Sequence, residues 1–416
     1  MVCQMDPWGE TTGGRLRLRL VIEALSRIGA IDLLVLTPLS PQSRIQPPPG
    51  SRVVRATAIQ RPRPTRSLVH QLAWFFARRA PLELYAANYR AMHAQAAAWM
   101  DDDYTLVWVT RSHTYDAIRR VLPPAPVVVD VDDLTAEKIS SELAGKRPRV
   151  APTRASLLAW MHRMRMSINA RRWKRYDRWL TTEVSASFVC SEGDRQRLGG
   201  TNVHVLPNGY RTLPRSSPAT PSTNDGKTIL MQGTLDYGPN LDAARFFIDD
   251  ILPRILDRLP AVEFRMVGSA GDAAQRLHAP PRVTVTGFVE DLAPELARAD
   301  LVVVPIRSGS GTRIKILEAW AHCIPVVSTS KGCEGLGARD DMHLKIADTA
   351  DAFASACVAM LTDPELRRRT SEAALELFVE RYSHDSIVQR TEDLARTIVS
   401  DQPPQASNRR RREGLA

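Results

Sequence analysis

The feature that most restricts this chain is an alternation kept up over nearly its whole length. Short Val- and Ile-rich runs, each bounded by Pro, Gly or Asp, are followed by longer stretches with helical apolar spacing. Runs that are apolar throughout read as strands covered on both faces, and strands alternating with helices read as a parallel, doubly wound α/β sheet. In the first half the strand candidates are "IDLLVLTPL" (Ile31–Leu39), "SRVVRAT" (Ser51–Thr57), "TLVWVT" (Thr105–Thr110), "PVVVDV" (Pro126–Val131), "TEVSASFVCS" (Thr182–Ser191) and "NVHVLPN" (Asn202–Asn208). The Pro-, Ser- and Thr-dense stretch Tyr210–Thr228 interrupts the pattern as a linker would. The alternation resumes with "TILMQG" (Thr228–Gly233), "VEFRMVG" (Val262–Gly268), "RVTVTG" (Arg282–Gly287), "DLVVVP" (Asp300–Pro305) and "IPVVST" (Ile324–Thr329).

A chain of 416 residues exceeds one compact core, so two doubly wound domains facing a cleft are expected. The boundaries read from the pattern are a first domain at 1–208, a linker at 209–227 and a second domain at 228–383. A further helix at 384–400 and a disordered basic tail at 401–416 complete the chain. No run approaches the roughly eighteen apolar residues of a membrane span, and "MVCQMDPWGE" lacks the basic start and apolar run of a signal peptide, so the chain reads as cytoplasmic. Cys3, Cys190, Cys323, Cys333 and Cys357 are scattered without CxxC spacing, as small buried residues would be and zinc ligands would not.

The net charge of +10 is concentrated in two places. Arg154–Trp179 holds eight Lys or Arg against Asp177 alone, and "RRRRE" (Arg409–Glu413) adds three positive charges. The first segment also carries an apolar stripe of Leu157, Met161, Met164, Ile168, Trp173, Tyr176 and Leu180. That pattern predicts a helix packed on the first domain, with peripheral contact to an anionic membrane on the cytoplasmic face as the second reading. Nucleic acid is not an expected partner, because this architecture offers no element that reads bases.

The densest chemistry lies in "GSGTRIKILEAWAHCIPVVSTSKGCEGL" (Gly309–Leu336). Gly309 and Gly311 permit a tight turn after a strand, and a helix is expected to start near Thr312. Backbone N–H groups at such a start, with the positive end of the helix dipole behind them, attract an anion. Lys315, Glu318 and His322 share one helical face, read as exposed, while Ile314, Leu317 and Ala321 share another. Lys315 suits phosphate oxygens, and Glu318 suits the paired hydroxyls of a ribose, which together spell a nucleotide. The plainer alternative is a surface ion pair at i,i+3.

This segment resembles the nucleotide-sugar motif of GT-B glycosyltransferases of group 1, the family 4 retaining enzymes, and in particular the sugar transferases of bacterial exopolysaccharide clusters. The shared pattern is G-x-G-x-x-x-K-x-x-E-A, then P-V-V-x-T and G-x-E-G-L. Further matches are "TTGGRLR" (Thr11–Arg17), "VVVDVDDL" (Val127–Leu134), "WKRYDR" (Trp173–Arg178), "CSEGDRQRL" (Cys190–Leu198), "LPNG" (Leu206–Gly209), "MQGTLDYGPNLDA" (Met231–Ala243) and "GFVEDLAPELARAD" (Gly287–Asp300). The resemblance implies two Rossmann-like domains, a last helix crossing back to the first domain, and transfer of a hexose from a nucleoside diphosphate sugar to a glycan or lipid-linked glycan. It implies no cofactor and no metal.

It also implies donor-binding roles for Gly13, Gly14, Gly233, Thr234, Gly309, Ser310, Gly311, Thr312, Arg313, Lys315 and Glu318. Three departures stand out. Ser310 occupies the place of a second glutamate, Thr234 and Pro239 stand where relatives carry Arg and Lys, and Cys323 replaces a glycine. Phosphate charge then falls on Lys315 with Arg313. No histidine follows "VVVD", where Asp130, Asp132 and Asp133 lie instead, so the catalytic candidates are Lys315, Asp132 and His113, the last with a solvated loop position as its alternative. "DVD" also invites a metal-dependent GT-A reading, which leaves the second domain unexplained. A sugar-nucleotide epimerase and a non-catalytic nucleotide-sugar binder are the remaining alternatives on the same fold.

Overall fold

The computed structural model describes residues 1–9, 13–37, 45–62, 73–76, 80–85, 88–101, 103–145, 154–211, 227–309 and 313–401. Most of the expected linker, nearly all of the basic tail, and Ser310, Gly311 and Thr312 lie outside them.

The first part of the chain runs β1 (Val2–Cys3), α1 (Gly13–Ile28), β2 (Ile31–Thr37), β3 (Val53–Gln60), α2 (Arg90–Trp99), β4 (Val107–Thr110), α3 (Ser112–Ile118), β5 (Val127–Asp132), α4 (Thr135–Gly145), α5 (Arg154–Glu183), β6 (Ala186–Val189) and β7 (Val203–Val205). These strands form one sheet in the order β3-β2-β1-β4-β5-β6-β7, with every pairing parallel. The later part runs β8 (Thr228–Gln232), α6 (Gly238–Phe246), β9 (Glu263–Val267), β10 (Val283–Gly287), β11 (Leu301–Val304), α7 (Ile314–Ala321), β12 (Val326–Ser328), β13 (Lys345–Ile346), α8 (Pro364–Arg381) and α9 (His384–Ser400). Its sheet has the order β10-β9-β8-β11-β12-β13 and is also wholly parallel.

Two doubly wound sheets are what the alternation predicts. Every quoted apolar run holds a strand, but several are shorter than the run. Thr182–Ser191 yields only Ala186–Val189, because Thr182 and Glu183 still belong to α5. Strand β3 begins later than Ser51 and runs on to Gln60, held by full-length pairing with β2 up to Thr37↔Gln60. The two-residue β1 is too short to show a period, yet it takes an interior place in its sheet between β2 and β4, with Cys3 fully buried.

In α5 the expected packing holds only toward the C-terminal end. Trp173 and Leu180 are buried, and the Trp173 indole N–H donates to Glu83 at 2.8 Å. The buried Arg172 lies over the Trp74 ring and donates to the Trp74 carbonyl at 2.8 Å. Met161 departs from the expectation: it is 50% exposed, and Trp160 beside it 59%. Helix α9 crosses back as implied, setting Ile387, Val388 and Ala395 against Leu20, Val21 and Ala24 of α1. Cys323, the departure from glycine, has φ +56°, the left-handed conformation in which a side chain is strained and glycine is not. No helix among the described residues is long and apolar enough to cross a membrane.

Arg17 ties these pieces together. Its side chain, 5% exposed, grips Asp130 at the end of β5 through both carboxylate oxygens at 2.7 and 2.8 Å. It also donates to the Leu206 carbonyl at 2.8 Å and to Asn208 at 3.1 Å, just past β7. Helix α1 is thereby clamped to two strands far apart in sequence. Replacing Arg17 by Met would strand the buried Asp130 carboxylate, and such loss of one partner costs about 3–5 kcal/mol. Denaturant titration should show a lowered midpoint for Arg17→Met and partial recovery when Asp130→Asn is added.

Candidate functional site

Strand order reverses between β1 and β4 in the first sheet and between β8 and β11 in the second, and ligands of such sheets settle beyond the strand ends at those points. At the second sheet the chain turns at Gly233, with φ +125°, and at Gly268, with φ +140°. A Cβ on Gly268 would lie 2.1 Å from the Gly233 carbonyl oxygen, and one on Gly233 would lie 2.6 Å from both Cε and Nζ of Lys315. Glycine at these two positions is what allows a lysine to lie directly over the strand end.

Lys315 stands in the first turn of α7, which begins at Ile314, slightly later than the sequence suggested, with Arg313 as its N-cap. Its ammonium donates to Asn240 Oδ1 at 2.8 Å, and the Asn240 amide donates to the Thr234 carbonyl at 2.6 Å. Thr234 therefore enters through its main chain. Gln232, 2% exposed, donates to the Lys315 carbonyl at 2.9 Å and to Glu318 Oε2 at 3.3 Å. Its own Oε1 has no partner among the described residues.

The face expected to be exposed is instead drawn into the cleft wall, with Lys315, Glu318 and His322 all partly buried. This enclosure changes their chemistry. Burial lowers the Lys315 ammonium to about 7, against the pull of Glu318. Burial raises the Glu318 carboxyl to about 7, outweighing the Gln232 hydrogen bond and the Lys315 charge. Both groups thus change charge near neutrality, whereas a solvated ion pair would stay charged. The surface-pair alternative does not describe this cluster. Gln232 and Asn240 are the residues the sequence reading passed over; both lie inside the quoted "MQGTLDYGPNLDA", but an amide carries no charge pattern to single it out.

Arg313 is buried, and its guanidinium donates to the Gly309 carbonyl at 3.3 Å and the Lys331 carbonyl at 3.2 Å, bracing the turn whose middle, Ser310 to Thr312, lies outside the described residues. The first domain closes on this turn. The Gly309 N–H, at φ +111°, donates to Ser141 Oγ of α4. A Cβ on Gly13, the first residue of α1, would lie 2.6 Å from Ile314 Cδ1. The N-termini of α1 and α7 therefore approach each other across the cleft, and Gly14 lines a small crevice with Arg111, Asp130 and Asp132.

Asp132 is buried with φ +61°. Burial favours its protonated form, but Arg111, 2.5 Å away, and Arg17 hold its carboxyl below the ordinary value. Cys190 donates its thiol hydrogen to Asp132 Oδ1 at 2.8 Å. Neighbouring Asp133 is pushed up to about 6, first by burial and then by the Asp132 charge. Ligand atoms of Asp132, Asp133 and Cys190 lie within 4.8 Å of one another, yet the set does not suit a divalent ion. Two arginines already neutralise its charge, and burial holds the Cys190 thiol protonated.

His113 is not the solvated loop histidine of the alternative reading. It stands in the first turn of α3, partly buried, with Nε2 hydrogen-bonded to the Gln4 side chain. Burial, with Arg61 and Arg111 adding to it, lowers its pKa to about 3, so the ring is neutral at working pH. The structure thus yields two groupings, one around Lys315 and one around Asp132.

Comparison with known proteins agrees with this architecture. Residues 226–363 match the glycosyl transferases group 1 family. A 139-residue stretch is 32% identical to the lipopolysaccharide core biosynthesis glycosyltransferase LpsE of Rhizobium meliloti, covering 31% of this chain and 40% of that protein. An exopolysaccharide phosphotransferase of Streptomyces coelicolor is 28% identical over 217 residues, covering 50% of this chain and 22% of that one. The chain therefore spans less than half the length of either curated relative. Among solved structures, sucrose-phosphate synthase from Thermosynechococcus elongatus superposes with TM-score 0.65 at 16% identity, covering 96% of this chain and 99% of that one. Anabaena HepE, solved in complex with UDP and glucose, superposes with TM-score 0.60 at 15% identity, covering 96% and 99%. At such identities these two structures speak for the fold. Residues 226–363 therefore carry the group 1 glycosyl transferase match, and with both sheets in place the chain has the GT-B fold.

Proposed function

We propose that this chain transfers a hexose from a nucleoside diphosphate sugar to a glycan or lipid-linked glycan, with retention, on the cytoplasmic face of the cell envelope during polysaccharide synthesis. The observation that carries the reading is the Lys315 cluster: an ammonium over the Gly233 strand end, with Glu318 one turn along the same helix. Lys315 faces the diphosphate and Glu318 accepts the two ribose hydroxyls. Gln232 orients Glu318 and Asn240 orients Lys315. Ser310, Gly311 and Thr312, which lie outside the described residues, are assigned with Gly309 to the sugar and phosphates, Arg313 braces Gly309, and Gly233 and Thr234 complete the donor wall.

From the first domain, Gly13 and Gly14 bring the start of α1 against the diphosphate. Neutral His113 serves as a hydrogen-bonding group toward the acceptor, since a ring that protonates only near 3 supplies no proton at neutral pH. Asp132, paired with Arg111, positions that arginine and is not free to act as a base. Catalysis then consists of holding the donor and stabilising the departing diphosphate, with the diphosphate itself taking the acceptor proton. The UDP bound by HepE supports a uridine donor. An epimerase needs acid and base carboxylates flanking the sugar, and this cluster supplies one carboxylate committed to the ribose.

Three outcomes test this. In a thermal-shift screen, UDP or a UDP-sugar at a hundred times its dissociation constant should add about 2.7 kcal/mol of stability, and no shift with any nucleoside diphosphate would refute donor binding. Lys315→Ala should lower kcat at least about a hundredfold, while Glu318→Gln should act chiefly on donor KM; near-normal transfer by a folded Lys315→Ala would overturn the assignment.

The third is pH dependence. Donor binding needs Lys315 protonated and Glu318 ionised, and both titrate near 7. Affinity should fall on the acid side as Glu318 gains its proton and on the alkaline side as Lys315 loses its own. Glu318→Gln should flatten the acid limb alone, as read by calorimetry at each pH.

A further inference from the structure

A second pocket lies outside the cleft. It has a volume of about 1070 Å³, and all its lining residues fall between Ala80 and Trp179, in the first domain and away from the Lys315 cluster. Its walls come from α2, the end of α3 and the C-terminal half of α5. Four arginines, Arg90, Arg119, Arg120 and Arg175, open onto it, and all four are exposed.

The single carboxylate among its described lining residues, Asp116, is already engaged, accepting from the Tyr176 hydroxyl at 3.1 Å and from Arg119 at 3.4 Å. Among the described residues no carboxylate holds Arg90 or Arg120. The pocket thus gathers two guanidinium groups, Arg90 and Arg120, that no carboxylate among the described residues neutralises, and planar guanidinium forks match carboxylate and phosphate oxygens. The apolar part of the wall is aromatic: Tyr176 and Trp179 pack with ring centroids 5.3 Å apart, and Arg119 lies over Trp179 at 5.2 Å. His93 Nε2 is hydrogen-bonded with the Ala117 carbonyl at 2.7 Å, joining α2 to α3 along one wall.

We infer that this pocket binds an acidic saccharide, a short glycan bearing carboxylate or phosphate, independently of the donor cleft. Its volume lies just above the roughly 300–1,000 Å³ of small-ligand sites, room for a short oligosaccharide. Ring edges and arginine stems accept the apolar face of a pyranose, while Arg90 and Arg120 at the mouth take the acid group. A nucleic-acid base would need an open aromatic face, and the Trp179 face carries Arg119. The inference stands whether or not transfer occurs, since it uses none of the cleft residues.

The test is calorimetry on the full chain with an oligoglucuronate, glucose 1-phosphate, inorganic phosphate, maltotriose and a short single-stranded oligonucleotide. Saturable binding of the oligoglucuronate or the sugar phosphate is expected, weakening with salt and persisting with saturating UDP and in Lys315→Ala. Preference between those two probes distinguishes a carboxylate from a phosphate ligand. Binding should weaken at least about tenfold in the Arg90→Gln, Arg120→Gln double variant, the effect of losing one charge-assisted hydrogen bond, and both positions are exposed enough for the fold to survive. Lys345→Gln, on β13 of the second sheet and away from this pocket, serves as a control that should leave binding unchanged. Absence of saturable binding by every acidic probe, equal binding of maltotriose, competition by UDP, an unchanged affinity in the double variant, or tightest binding of the oligonucleotide would each overturn the inference.

Discussion

The grip of Arg17 on Asp130 is the contact on which the arrangement of the first domain rests. Two buried charges stay stable there because both carboxylate oxygens are taken and the remaining guanidinium N–H groups meet Leu206 and Asn208. The consequence reaches beyond local stability. Helix α1 is held with its first residue, Gly13, against Ile314 of α7, and further along it Leu20, Val21 and Ala24 receive α9. One fork thus fixes the helix that meets both α7 and α9, and the same charges shape the Asp132 and Arg111 environment next to the cleft.

On the other side of the cleft the structure carries a cost in place of a gain. An ammonium and a carboxyl are enclosed near each other without a direct close pair between them, and burial brings both to about 7. Such enclosure is costly, and in the proposed donor complex phosphate charge and ribose hydroxyls would offset it, concentrating binding free energy at one place. Gln232 and Asn240 keep the two groups oriented meanwhile, so little rearrangement is left for the moment of binding.

The basic charge of the chain is likewise put to separate uses by the fold. Along α5, Arg172 is buried in packing against Trp74, Arg175 opens onto the second pocket, and the N-terminal stretch presents Trp160 and Met161 to solvent. A helix that looks uniformly basic and amphipathic is divided between a core, the wall of the second pocket and an exposed surface.

The sequence by itself determined the architecture, because period and composition are local properties: apolar runs bounded by Pro, Gly and Asp, alternating with helical spacing, leave few folds open besides paired parallel sheets. It also singled out Lys315 and Glu318, whose charges and spacing are visible in one dimension, and the crossing helix, whose bounds at His384–Ser400 match the run that was read. Tertiary structure decided what depends on residues distant in sequence. Enclosure of the Lys315 face comes from Gly233 and Asn240, roughly eighty positions away, and no helical wheel reports it. The neutrality of His113 follows from burial, with Arg61 and Arg111 adding to it, and the commitment of Asp130 and Asp132 to arginines follows from the placement of α1 and the end of β4. The two-residue β1 shows the same division, since a strand that short has no period to read and is held in the sheet by its neighbours on both sides.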